Sequence, residues 1–240
     1  MFFTRLPLPD RLSSAIDPEK RLSDAVIMFP VAGIVIGSTI ALAWTVANTL
    51  LPPLPSAALA IVAGLLITGA LHEDGLADCA DGLGATSDRQ RALEIMRDST
   101  VGSYGALALT SSFILRVFAL ASLTVLSGAV ALLIAHTVSR SAISLAMRFS
   151  VYARPEGLGR SASGEMEDRD FFTCIAIAAA IAIVLGWIAG VLAAICGFGI
   201  AWIFLSYLNH RIGGYTGDGL GAMQQLSEIL VLLVLAGAWS

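Results

Sequence analysis

The residues most able to do chemistry lie in one short stretch, His72-Glu73-Asp74-Gly75-Leu76-Ala77-Asp78-Cys79-Ala80-Asp81-Gly82-Leu83-Gly84. Asp74, Asp78 and Asp81 stand at i, i+4 and i+7, so a helix through them carries all three carboxylates on one face. Three uncompensated acids on one stripe repel one another, and a divalent cation among them reverses the sign of that energy. Hard oxygen donors suit Mg²⁺, whose shell is commonly completed by water and substrate phosphate. The expected metal set is therefore Asp74, Asp78 and Asp81. The plain alternative is a run of solvated acids. Gly75, Gly82 and Gly84 weaken the helix, a concession that close approach to a ligand would explain. The spacing matches neither an EF-hand nor a Walker loop. His72 and Glu73, at the edge of an apolar run, are the candidates for general base toward an attacking hydroxyl.

Three further islands carry polar chemistry. In Arg97-Asp98-Ser99-Thr100-Val101-Gly102-Ser103-Tyr104-Gly105, Arg97 can clamp a phosphate. Asp98 or Ser99 can cap the following helix, and Asp98 or Asp218 can support a second ion. Gly102 and Gly105 would let a substrate lie against the backbone, where a helix N-terminus favours an anion. The alternative is an ordinary cap with small residues for helix packing. The segment Tyr152–Arg160 is turn-rich and offers Arg154, Glu156 and Gly157 to a substrate. A glycine loop, Gly213-Gly214-Tyr215-Thr216-Gly217-Asp218-Gly219, offers Gly213, Gly214, Thr216, Gly217 and Asp218; a linker is the alternative for each. Together, acids for a metal, arginines and glycine turns are the equipment of phosphoryl chemistry. There the metal neutralises phosphate charge and arginines orient the leaving group.

Composition says what must position these groups. Hydrophobic residues make up 57% of the 240 and charged ones 13%, about half the ~25% usual in globular chains. Mean hydropathy is +0.82. A soluble fold of this size needs more polar surface, so a membrane protein is expected, with the lipid bilayer as its surroundings. The net charge of −4 says little about partners, and no nucleic-acid partner is expected. Cys79, Cys174 and Cys196 are isolated, without zinc or disulfide spacing. No cleavable signal peptide is visible, since Pro7, Pro9 and several charges interrupt the first 24 residues.

Between Asp24 and His72 no side chain is charged. That stretch, at about 1.5 Å per residue, is long enough to cross a ~30 Å hydrocarbon layer twice. Pro52-Pro53-Leu54-Pro55 breaks it, giving helices at about 25–50 and 56–71. A second pair is expected at 100–126 and 128–149, hinged near Ser127-Gly128. A third is expected at 171–189 and 191–208, hinged near Ala189-Gly190, and a last helix at 219–238. The expected fold is all-α: a polytopic bundle of about seven (six to seven) transmembrane helices, three hairpins plus a final helix. It forms one membrane-embedded catalytic domain over residues 1–240. The charged islands then share one face, which the positive-inside rule makes cytoplasmic. Arg116 and Arg140 interrupt apolar runs and should face the bundle interior, His136 lying one turn before Arg140. Whether they line a polar pocket or Arg140 snorkels to the interface stays open.

Phe3-Thr4-Arg5-Leu6-Pro7, HEDGLADCADGLG, RDSTVGSYG, YARPEGLG and GGYTGDGLGA occur in an order and spacing that resembles the cobalamin synthase (adenosylcobinamide-GDP ribazoletransferase) family from residue 3 to about 222. The resemblance implies a multi-pass, Mg²⁺-dependent transferase of the bacterial inner membrane with its active site facing the cytoplasm. It would join adenosylcobinamide-GDP to α-ribazole or its 5′-phosphate and release GMP. Homo-oligomerisation is left open. The aspartate block is also similar to that of CDP-alcohol phosphotransferases, though Asp78 stands where their pattern has arginine. A phospholipid-forming enzyme of that kind and a secondary transporter are the alternatives.

Overall fold

The computed structural model describes residues 26–154 and 166–240. Eight helices account for nearly all of them: α1 Met28–Asn48, α2 Pro53–Thr68, α3 Leu71–Ala85, α4 Arg89–Ile95, α5 Ser103–Ala121, α6 Val125–Phe149, α7 Asp168–Ile212 and α8 Gly217–Trp239. The all-α polytopic fold expected from the sequence is the fold found.

Five of the helices are long and apolar enough to cross a bilayer, and α2 with α3, a pair bent like a broken span or a re-entrant loop, makes a sixth if it is counted as one span. The long helix α7 supplies one more. Its backbone leaves helical geometry at Trp187 (φ 49°), and both Phe171 and Trp202 lie about 5.5 Å from the ring of Phe149. In a straight helix those two residues would be more than 40 Å apart at about 1.5 Å per residue. So α7 folds back at Trp187 and supplies two passes, for six among the described residues, or seven with the α2–α3 pair counted as one. The turn falls two residues before the expected Ala189-Gly190.

Two other boundaries differ from expectation. The turn between α5 and α6 lies at Ser122–Thr124, where Thr124 caps α6 by accepting from Ser127 N–H. Gly128, expected at the hinge, is inside α6 and makes room for the Trp44 indole, whose N–H donates to the Val125 carbonyl. The second crossing does not run unbroken to residue 71. After Thr68, Gly69 (φ 67°) and Ala70 (φ 56°) both adopt left-handed geometry, and α3 leaves at 91° to α2.

That break lies at mid-height. Thr68 shares a small cavity with Ile40, His136 and Glu228, each near the middle of its own helix. One apolar cluster joins α1, α2, α5, α6, α7 and α8 at the end that carries Trp44, Leu123 and Leu235. Two others gather the start of α1, the end of α6, both ends of α7 and the start of α8 at the opposite end. There the charged islands emerge, while the turns at 49–52, 122–124 and 187 carry no charge. The tilt of α3 takes its chain from the middle of the bundle out to the charged end.

Candidate active site

The aspartate face is built by one tight helix contact. A Cβ at Gly75 would come within 2.7 Å of the Asp218 carbonyl oxygen, so only glycine lets α3 touch the first turn of α8. Gly221 answers it by lying against His72, where a Cβ would meet backbone at 3.2 Å. Asp74 and Asp78 thereby flank the Asp218 turn. Asp74 is exposed, while Asp78 and Asp218 are half-buried. The charges acting on Asp78 are those of Asp218, Asp74, Arg154 and Asp81, in that order.

The expected glycine loop and arginine loop meet here. Gly213 (φ 77°) ends α7, and Tyr215 then pairs with the 151–153 segment: its N–H donates to Val151 O (2.9 Å) and its carbonyl accepts from Ala153 N–H (2.8 Å). Gly214 passes so close to Val151 O that a Cβ would sit at 2.1 Å. Thr216 caps α8 by accepting from Gly219 N–H at 3.0 Å; Gly217 is exposed beside it. This clip delivers Arg154, whose Nη2 donates to Asp218 Oδ2 at 2.8 Å. Arg89 fastens both strands of the clip through Ile212 O (2.7 Å) and Ala153 O (3.3 Å). Burial pushes the Tyr215 phenol up to about 12, so it stays neutral. Glu156 and Gly157 lie outside the described residues.

Asp81 requires a correction. The helix expected through the three aspartates exists, but its third carboxylate turns to α5. Asp81 Oδ2 accepts from Gly102 N–H at 2.7 Å and Oδ1 from Gly105 N–H at 2.9 Å. The N-terminus of α5 does hold an anion, but it is the protein's own. Cβ atoms at Gly102 and Gly105 would lie 2.5 and 2.3 Å from Asp81 oxygens, so these glycines make room for Asp81, and their N–H groups are not free for substrate. Nor does Asp98 cap α5: it is exposed and accepts from Thr100 N–H at 3.0 Å in the preceding loop, while Gly102 holds the N-cap position. Arg97 is exposed in that same loop. The loop is drawn back to α3 by Met96, which packs on Gly82.

Among the described residues no group of three or more His, Cys, Asp or Glu side chains is placed so that it could hold a metal ion. Asp74, Asp78 and Asp218 are nevertheless three hard-oxygen donors on an open face. Mg²⁺ uses one or two carboxylates and retains several waters for substrate phosphate to replace, so the donor chemistry suits it, although the three are not gathered around one point.

The proposed base Glu73 is also placed differently. It is 7% exposed and faces inward, where Oε1 accepts from Arg116 (3.0 Å) and Gln225 (3.0 Å). His72 is buried beside it. Arg116 reaches on to Glu228 at 3.2 Å. Glu228 accepts from Gln224 at 2.6 Å and lies 3.0 Å from His136 Nδ1, with Arg140 3.8 Å away. Arg116 and Arg140 do face the interior, as expected, and Arg140 does not snorkel: it is 1% exposed and 2.8 Å from His136 Nδ1. Sequence reasoning passed over Glu228, Gln224 and Gln225. The signal was an acid in the middle of a long apolar helix, preceded at i−4 and i−3 by two amides.

A helical bundle that collects carboxylates, an arginine and a glycine clip at one end defines a class: a polytopic helical membrane protein with an acidic cluster at that end. More narrowly, the chain belongs to the Cobalamin-5-phosphate synthase family, whose model matches residues 1–236. It is 41% identical over 244 residues to an adenosylcobinamide-GDP ribazoletransferase of Mesorhizobium japonicum, covering 100% of this chain and 92% of that one. Similar proteins of the same name are found in Shewanella frigidimarina (40% identity; 98% of this chain, 90% of the relative) and Ralstonia nicotianae (35%; 100% and 93%). No solved structure matches the chain.

Proposed function

We propose that this protein is an adenosylcobinamide-GDP ribazoletransferase that uses Mg²⁺ held by Asp74, Asp78 and Asp218. A hydroxyl of α-ribazole, or of its 5′-phosphate, attacks the phosphorus attached to the cobinamide arm. The new phosphodiester forms as the bond to GMP breaks. The observation that carries this reading is the contact of Gly75 with the Asp218 turn, which sets the acids of two family motifs on one open face. When bound, the ion supplies positive charge to the phosphates and to departing GMP. Arg154, already beside Asp218, contacts phosphate oxygens, and Arg97 is available from its exposed loop. Glu73 is tied to Arg116 and Gln225, so the hydroxyl proton passes instead to a carboxylate of the open face.

The charged end faces the cytoplasm of a bacterial inner membrane. Arg89, Arg91, Arg97, Arg148, Arg154, Arg169 and Arg211 all emerge there and none at the other end among the described residues. The test is to incubate detergent-solubilised protein with adenosylcobinamide-GDP, α-ribazole and Mg²⁺. GMP and adenosylcobalamin should appear together and vanish when Mg²⁺ is chelated. Turnover of CDP-diacylglycerol in their place would overturn the assignment.

A further inference from the structure

We propose that Glu228, acting through Arg116 and Glu73, is a positioning residue for the metal-binding face of α3. This rests on the reading above, in which Asp74 and Asp78 hold Mg²⁺ with Asp218.

The aspartate-bearing helix starts at a soft point. It is joined to α2 by two left-handed residues, Gly69 and Ala70, and no side chain caps its first turn. Two rods meeting at 91° through such a joint need a further tether to fix the roll of the second about its axis. Glu73, in that first turn, supplies one. Its carboxylate is gripped by Arg116 and Gln225, each at 3.0 Å, and the same Arg116 Nη1 that reaches Glu73 also donates to Glu228 at 3.2 Å. Glu228 is further braced by Gln224 (2.6 Å) and His136 (3.0 Å), while Gln224 binds Ser139 of α6 at 2.9 Å. The chain of contacts therefore ties α3 to α5, α6 and α8 at once.

Geometry transmits this to the site. At about 100° per residue, Glu73 and Asp78 point to well-separated faces, one inward and one outward. Any roll of α3 that moves Glu73 swings Asp78 relative to Asp218 by the same angle. Charge supplies the cause of such a roll. Arg116 and Arg140 are matched by Glu73 and Glu228, and all four are buried. Without the Glu228 charge, two guanidiniums compete for Glu73 alone, and the Arg116 Nη1 that bridges the two carboxylates loses one of them.

The test compares wild type with Glu228→Gln in detergent, using Mn²⁺ followed by electron paramagnetic resonance as the probe for the Mg²⁺ site. Readings are normalised to folded protein. Groups that orient metal ligands from outside the coordination shell typically alter affinity by roughly 10–100-fold, so Mn²⁺ binding should weaken about tenfold. Hydrogen exchange over residues 71–78 should speed up while that of the α1 core stays as in wild type. Because the two residues act on the same helix, adding Glu228→Gln to Asp78→Asn should cost less Mn²⁺ affinity than Glu228→Gln costs the wild type. The proposal is overturned if Glu228→Gln lowers the melting temperature yet leaves Mn²⁺ affinity and α3 exchange unchanged. Should that variant not fold, Glu228→Asp retains the charge on a shorter arm. Weaker Mn²⁺ binding then supports the proposal, and wild-type binding sinks it. If the wild-type protein itself binds no Mn²⁺, the metal reading fails, and exchange over 71–78 still decides the positioning role.

Discussion

Two clusters of charge share helix α3 and are balanced in opposite ways. On its inner face, Glu73 joins Glu228, Arg116 and Arg140: two carboxylates against two guanidiniums, all buried. On its outer face Asp74 and Asp78 meet Asp218, with Arg154 the cation in contact. Three carboxylates there face one guanidinium, an excess of acid that the inner cluster does not have. Inside a bundle in lipid, an unmatched charge has no water to relieve it, so the inner cluster must close on itself. At the wet end an imbalance is tolerable, and a ligand can complete it. The difference separates a cluster that is matched within itself from one that is not.

The contrast is broken most forcefully from the inside. Arg116→Leu leaves Glu73 and Glu228 buried without their shared partner. Breaking one side of a buried pair typically costs about 3–5 kcal/mol. A drop of that order in unfolding free energy, read by thermal or denaturant melts in detergent, is the expected outcome. A variant that melts as wild type does would mean the inner cluster contributes nothing to stability.

The outer face should respond with the opposite sign. Asp78→Asn removes one of three crowded acids, so thermal stability should hold or rise slightly, and membrane insertion and abundance should be unchanged. Turnover should fall by roughly 10²–10³-fold, the scale seen when a group that stabilises transition-state charge is lost. Initial rates of GMP release and a melt on the same preparation check both halves. Loss of stability without loss of rate would place Asp78 with the inner cluster.

Asp81 belongs to neither cluster, and substitution there sharpens the boundary between them. Asp81→Ala strips the two backbone N–H groups of Gly102 and Gly105 of their acceptor, and hydrogen bonds to a charged group are worth about 1.5–3 kcal/mol. Stability should drop within that range, while Mn²⁺ affinity stays near wild type. If Asp81→Ala instead abolishes metal binding and leaves the melt untouched, the three-aspartate set expected from spacing is correct after all.

What the sequence disclosed, and what it hid, follows from range. Hydropathy runs and prolines located each of the seven long apolar segments, because a span must satisfy its backbone within itself. The α2–α3 break was hidden because Ala70 adopts a left-handed geometry that alanine does not advertise, and the adjacent Gly69 was read as part of an apolar run. The i, i+4, i+7 rule put three acids on a helix face but could not say what stood opposite. Gly102 and Gly105 opposite Asp81, and Asp218 opposite Asp78, are contacts between segments 21 to 140 residues apart. Glu228 was legible in principle, since a single acid among apolar neighbours demands a partner. Arg116, itself flagged as out of place, was that partner.

The smallest effect is expected from an ion pair of the same chemistry placed in water. Arg91 and Glu94 lie 3.0 Å apart on α4, the same distance as Arg116 and Glu73, but their side chains are 65% and 55% exposed. Solvent screens their attraction, and ordering two mobile side chains offsets what remains, so exposed pairs at this spacing contribute about 0.2–0.5 kcal/mol. Glu94→Gln should therefore shift the melt by less than about 0.5 kcal/mol and leave turnover alone, and 1 M salt should erase even that. Equal distances would then give effects differing about tenfold, which isolates burial as the variable. A penalty for Glu94→Gln as large as that for Arg116→Leu would show that separation alone, and not the lack of water, sets the worth of a charge pair in this bundle.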